Sequence, residues 1–352
     1  MTLGFDAGET LAARMRAHAG DSDHLYGHLM RSMADDWEAA GPTWQICRGW
    51  EGAPTGAVVQ LRLLAGLFRI VLTGRAPELV EFYPCLGGSA DPSEAWPVVL
   101  PVLAEHMDEL HSALDVAPQT NEVGRSQALL VGLFEAVRCT GLRRVRLLEP
   151  GASAGLNLLV DEFCFKERAW RWGRENSPLV LRDWLVGDVI PQAFEIVDRR
   201  GCDLSPVDAS SSEGKLRLRS FVWPFHVQRH ERLTAALEVA ADHPVRVDAV
   251  AAGEWLAQRL GEPTPDETLT AVWQSITQQY WPAEEIARVD AALEEAGGQG
   301  LPLAHVSMEY PSKGPAESAV LSLRLPGRQR DADVLATVGD HGTPVTLLPQ
   351  SP

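Results

Sequence analysis

At 352 residues the chain can form one large domain or two ordinary ones of roughly 100 to 200 residues each. Its 45% hydrophobic, 7% aromatic and 22% charged residues are those of a globular protein, which excludes a disordered or fibrous one. A formal charge of -17, from 48 acidic against 31 basic residues, argues against nucleic-acid or anionic-membrane partners, both of which reward Lys/Arg patches.

The opening MTLGFDAGETLAARMRAHAG holds no continuous apolar core of the signal-peptide kind. No later run approaches about 18 uncharged apolar residues, so the expectation is a cytoplasmic protein. Cys47, Cys85, Cys139, Cys164 and Cys202 are odd in number and too far apart for a Cys-x-x-Cys clip, which reads as reduced, mostly buried thiols.

Residues 1 to about 140 read as helices. Leu25, Leu29, Met33 and Trp37 recur every four positions after the capping candidates Asp21 and Ser22, until Gly41-Pro42 stops the run. A second helix carries Leu61, Leu64, Phe68 and Leu72 to Gly74. A third starts near Trp96-Pro97 and runs through Leu103, Met107, Leu110 and Leu114. A fourth follows Thr120-Asn121 and carries Leu130, Leu133, Phe134 and Val137 to Gly141. His24 and His28 have metal-ligand spacing, but no third ligand accompanies them and no metal site is expected. In TNEVGRS, Asn121, Glu122 and Arg125 either cap the fourth helix or project over the turn that follows it and hold a substrate.

The chain is organised around Arg144 to Val160, RVRLLEPGASAGLNLLV. Val145, Leu147 and Leu148 form a buried strand, Pro150-Gly151 breaks it, and Leu156, Leu158, Leu159 and Val160 resume at helical spacing. A small-residue turn between strand and helix lets a ligand approach free backbone amides and the helix dipole. The glycine slots fit neither a dinucleotide fingerprint nor a P-loop. The order Glu149, Gly151, Ser153, Gly155 resembles the first motif of class I S-adenosylmethionine-dependent methyltransferases. The same letters spell G-x-S-x-G, the nucleophile elbow of α/β-hydrolases, with His341 in GDHG as the base. That fold places several strands before its elbow, whereas helices precede this one.

Residues from about 161 to 200 form an insertion, with Phe163, Phe165, Trp170, Trp172, Leu179 and Leu181 suggesting short strands. A strand through Ile196 and Val197 leads to GCDLSP. In the methyltransferase resemblance that ending places Asp203 on the ribose hydroxyls, a carboxylate accepting from both members of a cis-diol. In FVWPFHVQRHERL a helix begins near Pro224, and Trp223, His226 and Arg229 are candidates to line a pocket. Further strands are Val245 to Val250 with Asp248, Thr268 to Ser275, Leu303 to Met308 leading to Glu309, Ser318 to Leu325, Val334 to Val338 and Val345 to Leu348. Alternating strands and helices argue a parallel sheet, whose ligands sit beyond the C-terminal strand ends where Glu149, Asp203, Asp248, Ser275 and Glu309 fall. The last strands read as a meander.

Taken together, QTNEVGRSQALL, LLEPGASAGLNLL, GCDLSP, FVWP and GDHG resemble the bacterial domain-of-unknown-function 2332 family over nearly the whole chain. The fold expected is α/β, a Rossmann-like mostly parallel sheet over residues 141–352 with an α-helical subdomain over 1–140. The methyltransferase resemblance implies S-adenosylmethionine held by Glu149, Gly151, Ser153, Gly155, Asn157, Asp203 and Asp248. A small-molecule substrate would meet Asn121, Glu122, Arg125, Trp223 and Arg229, with Glu309 or His341 as the base. The alternatives are a serine hydrolase using Ser153 and His341, and a nucleotide-binding module without catalysis.

Overall fold

The computed structural model describes residues 10–311, 318–327 and 331–349. They fall into two compact units. One holds the chain up to Thr120 together with Ser212–Glu231, the other Asn121–Ser211 together with Arg232 onward.

The first unit is helical: α1 (Leu11–Ala19), α2 (Leu25–Glu38), α3 (Pro42–Ile46), α4 (Val59–Leu72), α5 (Trp96–Glu105) and α6 (Met107–Ala113). The four-residue rhythm of α2 buries Leu25, Leu29 and Met33, each of which stabilises the unit by about 1.5 to 3 kcal/mol, while Trp37 stays half-buried. His24 starts this helix, its Nδ1 accepting from Gly27 N at 3.0 Å, and the His28 ring pairs with Asp23 at 2.8 Å. The helix expected from Trp96 to Leu114 is divided at His106 into α5 and α6. Thr55–Leu72 is long and apolar enough to cross a membrane by length and composition, but it carries Arg62 and Arg69, and most of it is buried inside the protein as a core helix is. Of the cysteines, Cys47, Cys164 and Cys202 are buried, Cys85 is half-buried and Cys139 exposed, all as free thiols.

The second unit is mixed α/β. It begins with α7 (Ser126–Thr140), which ends at Gly141 in the left-handed conformation (φ 73°). There follow β1 (Arg144–Pro150), the insertion strands β2 (Cys164–Lys166), β3 (Arg171–Gly173), β4 (Val180–Arg182) and β5 (Leu185–Val186), and then β6 (Glu195–Asp203). The chain next supplies α8 (Ser212–Ser220) to the helical unit, and α9 (Val227–Asp242) divides between the units at Glu231/Arg232. The remainder is β7 (Val247–Ala249), α10 (Ala252–Leu260), β8 (Thr268–Ser275), α11 (Ala283–Gly298), β9 (Leu303–Glu309), β10 (Ala319–Arg324), β11 (Asp333–Val338) and β12 (Val345–Leu347).

Nine strands make one sheet in the order β5-β12-β11-β10-β9-β8-β1-β6-β7. The run β7-β6-β1-β8-β9 is parallel throughout, and β9 to β12 form the expected antiparallel meander. Central strands covered on both faces need continuous apolar runs, and all of β8 and all but the first residue of β1 are buried. On one face Trp255, Leu256, Val289 and Leu293 of α10 and α11 pack with Leu148 and Val272. On the other α7 comes so near β9 that a Cβ at Gly132 would lie 2.2 Å from Val306 Cγ1. The insertion is a three-stranded sheet, β3-β2-β4, with Phe134, Trp172 and Phe194 in ring contact, and its β5 pairs with β12 at the far edge.

The compact units depart from a division at residue 140. The residues from Asn121 through α7 belong with the sheet, because α7 covers it. Ser212–Glu231 belongs with the helices, because Trp223 and Phe225 enter an aromatic cluster with His24 and Tyr26, Phe225 stacking on His24 at 4.1 Å.

Candidate functional site

The register sets Glu149 opposite Gly201, and Ser275 opposite Met308, so Glu149, Asp203, Ser275 and Glu309 stand at one edge, the C-terminal ends of β1, β6, β8 and β9. The turn after β1 needs its glycines for conformation and for close packing. Gly151 has φ 75°, and a Cβ there would lie 2.5 Å from Thr277 Cγ2. Gly155 has φ 74° and a Cβ there would meet Val245 at 2.7 Å. Ser153 adopts the same left-handed region at φ 56°, a strained conformation for a residue with a side chain.

The amides of this turn are taken by the protein, which corrects the picture of an open anion cradle. Gly151 N and Ala152 N donate to Cys202 O at 2.8 and 2.9 Å, and Gly155 N to Ala152 O at 2.8 Å. Ser153 N donates to Asp203 Oδ2 at 2.9 Å and Leu156 N to Asn121 Oδ1 at 2.9 Å. The helix expected next is a 3-10 segment, Leu156–Glu162. Arg199 of β6 fixes it by donating to Leu158 O at 3.0 Å and to both carboxylate oxygens of Asp161 at 2.8 and 2.7 Å. This seven-residue segment presents no long helix dipole to the turn.

Beneath the turn lies a buried polar set. Glu149 and Asn157 are each 2% exposed and Ser153 4%. Glu149 Oε2, Ser153 Oγ, Asn157 Oδ1 and Trp273 Nε1 have no hydrogen-bond partner within 3.5 Å among the described residues, Asn157 and Trp273 bonding the Glu149 carboxyl only loosely. Burial pushes the Glu149 carboxyl up to about 8, although Asn157, Arg125 and Trp273 pull it down and Asp203 adds to the rise. Asp203 accepts from two amides, Ser153 N on Oδ2 and Ser205 N on Oδ1, both at 2.9 Å.

The TNEVGRS and GDHG turns join this edge, backbone against backbone: a Cβ at Gly124 would lie 2.2 Å from His341 O. Glu122, 6% exposed, has Oε2 3.4 Å from His341 Nδ1 and Oε1 3.6 Å from Arg232 Nη2. Arg125 donates from Nη1 to Ser275 O at 3.0 Å and from Nε to Asp340 O at 3.3 Å. Burial lowers its pKa, opposed by the charges of Glu122 and Glu309. Glu309 Oε1 accepts from Gln274 Nε2 and Thr277 N, each at 3.0 Å, and from Gln278 N at 3.2 Å, and burial raises its pKa. Tyr310 is raised as well, by burial and by a hydrogen bond to Asp340.

Of the residues picked out from sequence, Glu122, Arg125, Glu149, Gly151, Ser153, Gly155, Asn157, Asp203, Glu309 and His341 therefore gather in the sheet-bearing unit. Asn121 serves as a cap rather than a substrate contact. Asp248 is engaged by Arg246 Nε at 2.7 Å, Trp255 Nε1 at 2.9 Å and Arg259 Nη2 at 3.2 Å. Burial alone would raise its carboxyl, but these donors hold it below the usual value, and a network so filled is a tie between β7 and α10 rather than an adenine contact. Trp223 and Arg229 belong to the helical unit, where Arg229 Nη1 lies 3.0 Å from His226 Nδ1. Sequence reasoning missed Trp273 and Gln274; the signal was a Gln on an otherwise apolar strand end.

The hydrolase geometry is not assembled. Ser153 Oγ is buried without a partner, whereas a nucleophile elbow exposes it to its base, and His341 Nδ1 faces Glu122. Among the described residues no strand precedes β1.

A family model described as an uncharacterized protein conserved in bacteria (DUF2332) matches residues 9–346. Neither the curated proteins nor the solved structures provide a match.

Proposed function

The chain belongs to the DUF2332 family, described only as uncharacterised, and from the site itself we propose that the sheet-bearing unit binds S-adenosylmethionine and transfers its methyl group to a small molecule. The observation that carries this reading is the parallel run β7-β6-β1-β8-β9, with Glu149 and Asp203 on adjacent strand ends. Numbered along the chain, these strands stand in the order 3-2-1-4-5 of Rossmann-like sheets, whose ligands bind at the point where the order reverses. Here that point lies between β1 and β8, beside Glu149, Ser275 and Arg125. The occupied turn amides favour a nucleoside ligand without phosphates.

The donor set fits such a group. Buried polar atoms are ordinarily paired, and the set around Glu149, which Asn157 and Trp273 bond only loosely and in which Ser153 Oγ has no partner among the described residues, suits a polar ligand. When bound, S-adenosylmethionine supplies an electrophilic methyl group on a sulfonium. Asp203 would accept the ribose hydroxyls, and Glu149 would lie against the cationic end. His341, oriented by Glu122, or Glu309 would take a proton from an acceptor that must lose one. Free thiols agree with a cytoplasmic setting.

Calorimetric titration with S-adenosylhomocysteine tests this. Saturable one-site binding, weakened about tenfold or more in Asp203→Asn, is expected. No binding by folded wild-type protein would remove the proposal.

A further inference from the structure

Arg125 is a half-buried cation whose hydrogen bonds go to two backbone carbonyls, Ser275 O and Asp340 O. Among the described residues no carboxylate is in ion-pair contact with it, and no acceptor meets its Nη2. Buried charges are normally paired. Glu309 is the complementary case. Its Oε1 is held by the amides of Thr277 and Gln278 and by Gln274, while Oε2 meets no donor and no cation in contact among the described residues. The two charges influence each other without touching. Both are fixed at neighbouring strand ends, Glu309 closing β9 and Ser275, whose carbonyl holds Arg125, closing β8.

A cation and an anion held apart by backbone groups select a ligand with both signs. A dianion such as phosphate would suit Arg125 but be repelled by Glu309 and Glu122, and a simple amine would suit Glu309 but be repelled by Arg125. We infer that Arg125 and Glu309 form a receptor for the α-amino-acid group of a small molecule, its carboxylate on the open N–H edge of Arg125 and its ammonium on Glu309 Oε2. The guanidinium fork matches a carboxylate in the plane, and Oε2 accepts from the ammonium. This does not rest on the cofactor proposed above. The group can come from the methionine end of an S-adenosyl ligand or from a free amino acid.

The test titrates the full chain, Arg125→Met and Glu309→Gln with S-adenosylhomocysteine, with 5′-methylthioadenosine, which lacks the amino-acid end, and with the common free L-amino acids. At least one amino-acid-bearing probe should bind wild type and weaken about tenfold or more in both variants, with methylthioadenosine binding unchanged. Loss confined to S-adenosylhomocysteine assigns the receptor to the cofactor; loss with a free amino acid assigns it to a substrate. Glu309→Gln keeps the acceptor toward Thr277 and Gln278, so it decides the matter where Arg125→Met does not fold. Equal binding by wild type and variants overturns the inference, as does the absence of binding by any amino-acid-bearing probe to folded wild type. Methylthioadenosine binding together with no effect of either variant on any amino-acid-bearing probe would sink this receptor and leave the nucleoside site standing; a free amino acid weakened in both variants, with no methylthioadenosine binding, would sink the nucleoside site and leave the receptor.

Discussion

Glu149 shows what the site asks of one residue. Its carboxyl is sealed at the end of β1, and burial lifts its pKa from 4.5 to about 8 against the loose hydrogen bonds from Asn157 and Trp273 and the charge of Arg125. At neutral pH it is therefore held as the neutral acid in the free protein. A carboxyl that binds its proton more tightly folded than unfolded stabilises the fold fully below about pH 4.5, and that contribution is lost as the pH rises through 8. Glu149→Gln, neutral at every pH, should flatten the loss. Between pH 6 and 9 the variant should gain on wild type by on the order of 2 kcal/mol in urea denaturation. Parallel pH curves for the two proteins would show that Glu149 ionises freely. A cationic ligand beside Glu149 would reverse the preference and release the proton.

At the scale of elements, the segment Leu156–Glu162 depends on contacts distant in sequence. Arg199→Ala removes the bidentate bond to Asp161 and the bond to Leu158 O, and should cost about 2 to 3 kcal/mol. Amide exchange through Leu156–Glu162 should accelerate more than elsewhere; uniform acceleration or none would count against a local clamp. This dependence explains why the segment was misread. The spacing of Leu156, Leu158, Leu159 and Val160 suits an α-helix, and nothing nearby announces Arg199 or the Asn121 cap. By contrast β8, β9 and the meander were legible because their apolar runs are fixed by burial in one sheet. In the site, Glu149 and Asp203 were legible from motif and strand-end position. The loss of Asp248 to Trp255 and Arg259 was not, since it depends on where α10 packs. The helix α8 was not legible: it is polar along much of its length and carries no clear apolar stripe.

At the scale of the whole molecule, each unit buries a histidine that acid should turn against the fold. Burial drives His230 of the helical unit down to about 4 and His305 of β9 down to about 3, the latter helped by Arg324. A histidine held neutral in the fold contributes stability above its unfolded pKa of 6.5 and loses it as the pH falls toward its folded value, because the unfolded chain then binds more protons. From pH 7.5 to 5 each ring should therefore withdraw roughly 1 to 3 kcal/mol, against the gain from Glu149, so His305→Asn should gain on wild type by about that amount in urea denaturation over this range. Parallel pH curves for His305→Asn and wild type would contradict the burial of the His305 ring.

We propose that the C-terminal edge around β1 and β6 is a nucleoside-binding site. The most direct measurement is amide hydrogen exchange with and without saturating S-adenosylhomocysteine. Protection is expected to concentrate in residues 148–155, 201–205 and 273–277. Protection confined to other segments, or an unchanged exchange map, would contradict it.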